Sequence, residues 1–426
     1  MENLHTVIKK MEEGFFDKQL EDVYVDKTKC KHQKERYIRL LHQYYEHFKI
    51  DEVSIYSAPG RSEIGGNHTD HQHGRVLAAA VNMDTVAIVS KRGDNIIHII
   101  SEGFTIKKID ISDLRIQEPE AQTSEALIRG VCARIKELGF VVGGFNAYMA
   151  SEVLEGAGLS SSAAFEVLVG TILSGEYNEN AIDAVDIAKI GQYSENHYFM
   201  KPCGLMDQMA SSVGGFITID FKDPKEPIVE KVMYDFDASK HALCIIDTKG
   251  SHADLTDDYA SIPKEMKKIA EHFGKAHLRD VDTNEFYKSL ATLRAAYGDR
   301  CVLRAYHFFN ENDRVVEQVK ALQNYDFKAF KELVKDSGNS SFRYLQNVYT
   351  SKDIQEQNLA IALAMSEHLL ADKGACRVHG GGFAGTIQAY VPNEMLAKYK
   401  EVMEGVFGEH SCHVLKVRPY GGYQFI

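Results

Sequence analysis

Cysteine motifs, tryptophan and long apolar runs are all missing from this sequence. It has no tryptophan and only 8 prolines, and its 7 cysteines are scattered without a CxxC pair. An odd number of dispersed cysteines in a long chain argues against a disulfide framework and against a zinc ribbon. Reduced thiols are typical of the cytosol, so the expected location is the cytoplasm. The stretch MENLHTVIKKMEEGFF has no apolar core and predicts no secretory signal.

The charge pattern excludes further classes of partner. The formal net charge is −12, and no block of like charge accounts for it. A dispersed acidic balance argues against binding to the phosphate backbone of nucleic acid, although it allows a small anionic ligand at a local site. No apolar run approaches the length that spans a bilayer, so we expect no association with membranes. The sequence also implies no obligate protein partner.

The length of 426 residues is too great for one ordinary hydrophobic core, and it predicts two domains or one two-lobed unit. Strand and helix patterns mix without regular βαβ alternation, which favours an α+β fold. Helical spacing in YIRLLHQYYEHF predicts a helical extension over residues 1–45. Two lobes are expected to follow, over residues 46–215 and 216–426.

Two glycine-rich segments are candidates for ligand binding. In EGAGLSSSAA (residues 155–164, the glycine-serine loop), Gly156 and Gly158 allow a tight turn before a helix that begins near Ser160. Free N–H groups at that helix end favour an anion, but a simple turn with a serine N-cap fits the spacing equally well. In VHGGGFAGT, glycines interrupt a predicted strand, so both a structural bulge and a ligand contact remain open.

Charged and histidine residues form two further candidate groups. Glu195 on a predicted helix and Asp207 after a Pro-Cys-Gly turn are suited to a metal ligand and a general base, although 61 acidic residues make any one pair weak evidence. VSIYSAPG predicts a strand that ends at a Pro-Gly turn, and GRSEIGGNHTDHQHG follows it. The histidine spacing disfavours a transition-metal site. A loop that presents Arg61, His68 and Asp70 to a polar ligand is the preferred interpretation.

These segments, in this order, resemble the galactokinases of the GHMP kinase superfamily. The galactokinase signature, approximately GRxNLIGEHTDYxxG, stands here as GRSEIGGNHTDHQHG. GLSSSA and CGLMDQ are present at residues 158–163 and 203–208, and the family's GGGFGG stands as GGGFAG at residues 380–385. IIDTKGSHADLTDDY and ELVKDSGNSSFRYLQNVY are similar to a strand and a helix of the family. The resemblance covers roughly residues 45–426.

The resemblance implies a fold and an activity. The fold is the two-lobed GHMP kinase α+β fold, with a ribosomal protein S5 domain 2-like N-terminal lobe and a ferredoxin-like C-terminal lobe. The activity is ATP-dependent, Mg²⁺-requiring phosphorylation of the anomeric C1 hydroxyl of galactose, in the cleft between the lobes. The partners implied are therefore a small sugar and MgATP.

The resemblance also implies roles for individual residues. Asp207 matches the catalytic aspartate, either as a true base or as a group that orients the sugar hydroxyl, and Arg61 matches the arginine that neutralises charge near it. Ser162, or Ser161, and Glu195 match the Mg²⁺ ligands. The implied sugar contacts are Asn67, His68, Asp70, Gly204, Asp207 and Tyr259. The implied ATP-binding residues are Gly156, Ala157, Gly158, Leu159, Ser160, Ser161, Ser162 and Ala163. Gly380 to Gly382 would pack near the sugar and the phosphates.

The sequence departs from the family at positions that bear on the sugar. Asn67 replaces a glutamate that contacts the C6 end of the sugar, and Glu63 and His71 replace an asparagine and a tyrosine. Gly338 replaces a histidine in the later helix. These departures leave open a 1-kinase for a related sugar, such as N-acetylgalactosamine, L-arabinose or galacturonate. A non-catalytic galactose sensor is a second alternative, which the intact GLSSSA motif disfavours.

Overall fold

The computed structural model describes residues 1–105, 108–154, 158–250 and 255–426. Its α-helices are α1 Leu4–Glu12, α2 Asp17–Tyr24, α3 Cys30–Phe48, α4 Ser124–Glu137, α5 Ser161–Asn178, α6 Ala184–His197, α7 Met206–Val213, α8 Thr256–His272, α9 Thr283–Lys288, α10 Leu290–Tyr297, α11 Asp299–Gln323, α12 Phe327–Ser340, α13 Asn358–Leu370 and α14 Leu396–Phe407. Its β-strands are β1 Glu2–Asn3, β2 Glu52–Gly65, β3 Arg75–Lys91, β4 Ile96–Ser101, β5 Phe104–Thr105, β6 Ile109–Asp110, β7 Phe145–Ser151, β8 Phe216–Asp220, β9 Ile228–Val232, β10 His241–Asp247, β11 Ala375–His379, β12 Thr386–Pro392, β13 Cys412–Leu415 and β14 Tyr423–Gln424. The mixture of helices and sheets confirms the α+β prediction.

A ten-stranded sheet organises the first half of the chain. Its central path is β1-β2-β3-β7-β4-β5, and β6, β8, β9 and β14 pair alongside. The β4–β7 pairing is parallel, whereas the other pairings in this sheet are antiparallel. The long strand β3 pairs with β8 through its first residues and with β7 through its last ones. This strand therefore joins the two ends of the sheet.

Helices cover both faces of this sheet, because side chains alternate along each strand. Ile55 and Ile88 point toward α1, α2 and α3, in a core that also includes Phe425. Their neighbours Tyr56 and Ala87 point the other way, toward α4, α5 and α6. The helix predicted from YIRLLHQYYEHF is confirmed as α3.

Strand β2 does not end at the predicted Pro-Gly turn. It continues through Pro59 and Gly60 to Gly65, with shifts of register after Pro59 and after Glu63. A proline is tolerated at such an irregularity because the missing N–H falls where the ladder is already broken. A side chain at position 60 would lie 2.8 Å from the Leu159 carbonyl oxygen, so glycine lets the glycine-serine loop approach the strand. The predicted turn is wrong, and the segment is a bulge that carries Arg61 beyond it.

A four-stranded antiparallel sheet, ordered β11-β12-β10-β13, organises the second half. Side chains of β10 alternate between the two faces of this sheet. Leu243 and Ile245 face a core that includes α12, whereas Cys244 and Ile246 face a core that includes α13 and α14. The segment at residues 380–385 joins β11 to β12 as a hairpin connection, which we call the glycine turn. The prediction of one interrupted strand is therefore wrong. Gly380, Gly382 and Gly385 have positive φ, which explains their identity.

A buried charge network attaches the N-terminal helices to the large sheet. Asp84 of β3 is fully buried, and it accepts hydrogen bonds from Arg36 at 2.6 Å, from Arg418 at 2.9 Å and from the Tyr24 hydroxyl at 2.8 Å. Burial alone would raise the pKa of Asp84, but the two arginines outweigh it and lower the pKa below its ordinary value. Helix α2, helix α3 and the segment before β14 are thus linked through one carboxylate.

The division into lobes at residue 215 remains a prediction, since β8 and β9 still pair within the ten-stranded sheet. Among the helices of the described ranges, none combines the length and apolar character needed to cross a membrane.

Candidate active site

The centre of the candidate site is an ion pair between Arg61 and Asp207. Arg61 follows the bulge in β2. Asp207 lies in the first turn of helix α7, which begins directly after the predicted Pro-Cys-Gly turn. The guanidinium donates from Nε to Asp207 Oδ1 and from Nη2 to Oδ2, each over 2.7 Å. Such bidentate pairs are among the stronger polar contacts in proteins. Two motifs 146 positions apart therefore meet at one point.

The pair keeps Asp207 ionised. Burial would raise the pKa of Asp207, but the charge and hydrogen bonds of Arg61 outweigh it and leave the pKa below its ordinary value. The Ser160 hydroxyl also donates to Asp207 Oδ2. At neutral pH the carboxylate is therefore an anion that accepts hydrogen bonds from two different motifs.

The described part of the glycine-serine loop lies against the same arginine. Arg61 Nη1 donates to the carbonyl oxygen of Gly158, and the backbone N–H of Arg61 donates to the Leu159 carbonyl over 3.0 Å. Gly158 has φ +68°, a conformation that favours glycine. The predicted ATP contacts Gly156 and Ala157 lie outside the described residues. One arginine therefore contacts both Asp207 and the loop.

Helix α5 begins at Ser161, which confirms the predicted helix start. Ser160 has φ 56° and no described side chain caps the helix, so the serine N-cap interpretation is wrong. The Ser160 hydroxyl is bonded to Asp207 instead. Leu159 and Ala163 are buried, so they can offer a ligand only backbone groups. The N–H groups of Ser161, Ser162 and Ala163, in the first turn, have no partner within the helix, and a helix end of this kind favours an anion.

Beside the ion pair, two buried carboxylates share one amide group. Gln208 Nε2 donates to Glu195 Oε2 over 2.8 Å and to Glu166 Oε2 over 3.0 Å. Lys201 donates to the other oxygen of Glu195 over 3.2 Å. Burial, and then the charge of Glu195, raise the pKa of Glu166 well above its ordinary value. Glu195, the predicted metal ligand, is therefore buried between a second carboxyl group and a lysine.

Three predicted sugar contacts hold the backbone of the glycine turn. Asn67 Nδ2 donates to the Gly380 carbonyl over 2.7 Å, and His68 Nε2 lies 2.9 Å from the Gly381 carbonyl. The Tyr259 hydroxyl donates to the Gly382 carbonyl over 2.7 Å. Burial, then the charge of Asp258, raises the pKa of Tyr259 to about 12, so it remains a donor. The carbonyls of three successive glycines are thus each bonded by a different side chain.

The amide of Asn67 is fully engaged by other protein groups. Asn67 is 0% exposed, and besides Gly380 its Nδ2 donates to Glu63 Oε1 over 3.0 Å. Its Oδ1 accepts from Asn347 over 2.9 Å and from Ser341 over 3.3 Å. Both polar hydrogens and both lone pairs of the amide therefore have partners within the protein. A buried polar side chain needs such partners.

Asp70 and Gly204, two further predicted sugar contacts, approach one another closely. A side chain at position 204 would lie 2.6 Å from Asp70 Oδ2, so glycine permits this contact. Burial raises the pKa of Asp70 despite the opposing effect of His68. His71 lies near His68, with ring centroids 5.5 Å apart, and burial lowers its pKa well below the ordinary value. Among the described residues, no group of three His, Cys, Asp or Glu side chains is arranged to hold a metal ion.

Sequence patterns did not single out Glu166, Gln208 or the ion pair of Glu63 with buried Arg377. One signal for Glu166 was available, because it follows Ser162 by four positions and so lies on the same helix face. No comparable signal existed for Arg377, which is 314 positions from Glu63.

Two family models match the chain. One, described as "Galactokinase galactose-binding signature", matches residues 42–91, and another, described as "GHMP kinases N terminal domain", matches residues 126–215. The galactokinase of Actinobacillus pleuropneumoniae serotype 3 (strain JL03) is 30% identical over 366 residues, which cover 85% of this chain and 91% of that protein. The galactokinase of Haemophilus influenzae (strain ATCC 51907 / DSM 11121 / KW20 / Rd) is 29% identical over 366 residues, covering 84% of this chain and 90% of that protein.

Solved structures share the fold at lower identity. The crystal structure of Lactococcus lactis galactokinase complexed with galactose has a TM-score of 0.76 and 22% identity, and the match covers 90% of this chain and 98% of that one. The crystal structure of Methanococcus jannaschii mevalonate kinase has a TM-score of 0.60 and 13% identity, over 86% of this chain and 98% of that one.

Proposed function

Because this chain belongs to the galactokinase family of the GHMP kinases, and is therefore an ATP-dependent sugar kinase, we propose that it transfers the γ-phosphoryl group of ATP to the C1 hydroxyl of galactose. The observation that carries the proposal is the Arg61–Asp207 pair, held against the glycine-serine loop. Phosphoryl transfer depends mainly on positioning and on stabilising charge, and this arrangement joins an acceptor-binding carboxylate to an anion-binding loop.

In this proposal, Asp207 accepts a hydrogen bond from the C1 hydroxyl and orients its oxygen toward the phosphorus. The depressed pKa makes Asp207 a weak base in the ground state. The sugar hydroxyl becomes much more acidic as its oxygen bonds to phosphorus, so its proton moves to Asp207 late in the transfer. The orienting role and the base role are therefore successive stages of one contact.

Arg61 supplies fixed positive charge between the two substrates. It stabilises the Asp207 carboxylate before transfer and the charge that develops on the phosphoryl oxygens during transfer. Its bonds to Asp207 and to the Gly158 carbonyl hold the guanidinium in place, so little reorganisation is needed. The N–H groups at the start of α5 would bind phosphate oxygens on the loop side.

The residues present fit a magnesium ion bound together with the nucleotide. Mg²⁺ is usually held by one or two carboxylates plus substrate phosphates and water, rather than by a cage of protein ligands. Glu195 is a buried carboxyl group, and Ser162 lies in the first turn of the adjacent helix α5. These two residues would hold the ion, which when bound neutralises charge on the ATP phosphates.

The sugar would lie between Asp207, Asp70, Gly204 and the glycine turn. Asp70 offers carboxylate oxygens to sugar hydroxyls, and His68 and Tyr259 face the same region through their bonds to the turn. Asn67 supports the turn from beneath. A 1-kinase for a related sugar is the second candidate, because the glycine turn that would lie against the sugar is bonded by the neutral Asn67 where the galactokinase signature has a glutamate.

The test is a panel of sugars incubated with MgATP, with each product examined by ³¹P and ¹H NMR. We expect galactose to give a phosphate coupled to the anomeric proton. Turnover only with N-acetylgalactosamine, L-arabinose or galacturonate would contradict the choice of galactose. A phosphate at another carbon would contradict the C1 assignment. Binding of sugar and ATP without any product would favour the sensor alternative.

A further inference from the structure

A second carboxylate lies beside Glu195, in a position that the sequence motifs do not mark. Glu166 of α5 is 1% exposed, and its Oε2 is bonded to Gln208. The same Gln208 nitrogen is bonded to Glu195 Oε2. One amide group therefore holds two carboxylates on either side of it.

Two oxygens in this group have no hydrogen-bond partner among the described residues. They are Oε1 of Glu166 and Oε1 of Gln208, and both are buried. Buried polar atoms in folded proteins are nearly always satisfied, by protein groups, water or an ion. The two unpartnered oxygens belong to side chains that are hydrogen-bonded to each other. Both oxygens can donate electron pairs, so together they point to a ligand that accepts them.

The local charges also lack balance. Arg61 is bonded through two nitrogens to Asp207, and Lys201 is bonded to Glu195. In the part of the chain that the structure describes, no basic side chain pairs with Glu166. A buried carboxylate without a cation is costly, and a second carboxylate beside it adds to that cost. A divalent cation would supply the positive partner that Glu166 lacks.

Gly191 of α6 fixes where the Glu166 carboxylate can lie. A side chain at position 191 would be 3.1 Å from Glu166 Oε2 and 3.1 Å from Gln208 Cγ. The absence of a side chain there lets α6 pack closely over both groups. The Glu166 carboxylate is thus confined between α5, α6 and α7, on the helix face that also carries Ser162.

We infer that Glu166 is a second carboxylate ligand of the divalent-cation site, beside Glu195, and that its unpartnered Oε1 is the atom that would bind the cation. The inference rests on the proposed function, because it assigns a further residue to the cation that accompanies ATP. Gln208 then acts as a positioning residue that keeps the two carboxylates apart.

The experiment measures Mn²⁺ binding rather than turnover. Full-length wild type and Glu166→Gln are titrated with Mn²⁺ by electron paramagnetic resonance, in the presence of galactose and a non-hydrolysable ATP analogue. We expect the Mn²⁺ affinity of Glu166→Gln to fall at least tenfold, because the variant keeps the shape of the side chain and loses its charge. Glu176→Gln, on the same helix and outside the site, should bind Mn²⁺ as wild type does.

Thermal unfolding in EDTA separates a ligand from a structural residue. If Glu166 is a metal ligand, the melting temperature of Glu166→Gln in EDTA should equal or exceed that of wild type, because the variant keeps the shape of the side chain and removes a buried carboxyl group that has no basic partner among the described residues. A lowered melting temperature together with Mn²⁺ affinity within twofold of wild type would overturn the inference. If Glu166→Gln does not fold, Glu166→Asp serves instead, and an unchanged Mn²⁺ affinity in that variant would equally overturn it.

The two proposals fail in different ways. Wild-type protein that binds no Mn²⁺ with the nucleotide would contradict the proposed magnesium site as a whole. Wild-type protein that binds Mn²⁺ and forms galactose 1-phosphate, beside a Glu166→Gln variant of equal affinity, would contradict only the role of Glu166.

Discussion

Asn67 donates a 3.0 Å hydrogen bond to Glu63, and the two residues stand in exchanged order relative to the galactokinase signature. The signature has asparagine at the position of Glu63 and glutamate at the position of Asn67. Here the charge lies at Glu63, where buried Arg377 is its partner. The residue bonded to the Gly380 carbonyl is consequently neutral. The exchange places the charged member of this carboxylate–amide contact at position 63, away from the glycine turn.

This relationship changes what Asn67→Glu should do. The new carboxylate would face Glu63 and the Gly380 carbonyl without a cation of its own, so we expect a loss of about 3 kcal/mol or more in the free energy of unfolding. Denaturant unfolding measures the loss. Asn339→Glu, the same change at an exposed position, is the matched control. A stable Asn67→Glu variant with a higher preference for galactose would show instead that position 67 reaches the sugar.

Asp207→Asn should lower kcat at least about 10²-fold, because the acceptor hydroxyl loses its carboxylate. Binding of the ATP analogue, measured by calorimetry, should change little. Asp220→Asn is the control, since Asp220 is also paired with arginines, Arg75 and Arg279, but lies outside the site. Near-normal turnover of Asp207→Asn would remove Asp207 from the chemistry.

Asp84→Asn should destabilise the protein by about 3–5 kcal/mol at neutral pH, because two buried arginines lose their carboxylate. The folded-state pKa of Asp84 is lowered, so its contribution is complete above the unfolded pKa of about 3.9 and is lost as the pH falls through the folded value. The difference between wild type and variant should therefore shrink in acid. Asp237→Asn, at an exposed pair with Lys416, should cost less than about 1 kcal/mol. If the difference in unfolding free energy between wild type and Asp84→Asn does not change with pH, the role given to the Asp84 carboxylate is wrong.

Tyr259→Phe should raise the KM for the sugar about fivefold, because the Gly382 carbonyl loses a hydrogen bond that contributes roughly 1 kcal/mol to the position of the glycine turn. The kcat should change less, since the phosphoryl-transfer groups are untouched. Steady-state kinetics at saturating ATP checks this, with the exposed Tyr325→Phe as control. An unchanged KM would mean that the turn does not depend on this bond.

Local patterns predicted much of the fold. Helix α3 follows from the helical spacing of the apolar residues in YIRLLHQYYEHF. The Pro-Gly segment was mispredicted because its conformation depends on Leu159, about a hundred positions later in the chain. Tertiary contacts of this kind override local propensity.

The candidate site was also predicted only in part. Residue type and spacing marked Arg61, Ser160 and Asp207 only as members of separate segments, and the resemblance to galactokinases brought these segments together as one site. Burial of the Asn67 amide could not be predicted, because its partners include Ser341 and Asn347, more than 270 positions away. Glu166 was overlooked although it shares a helix face with Ser162, because a single carboxylate within an apolar helix is weak evidence by itself.

Strand β2, which carries Arg61, takes partners from both extremes of the numbering. Its first residues pair with β1, and Ser57 and Tyr56 pair with Tyr423 and Gln424 of β14. During synthesis on the ribosome, β2 must therefore wait for more than 350 further residues before its edge is covered. A nascent chain stalled before residue 423 would expose that edge, which makes it a place for chaperone binding or for aggregation.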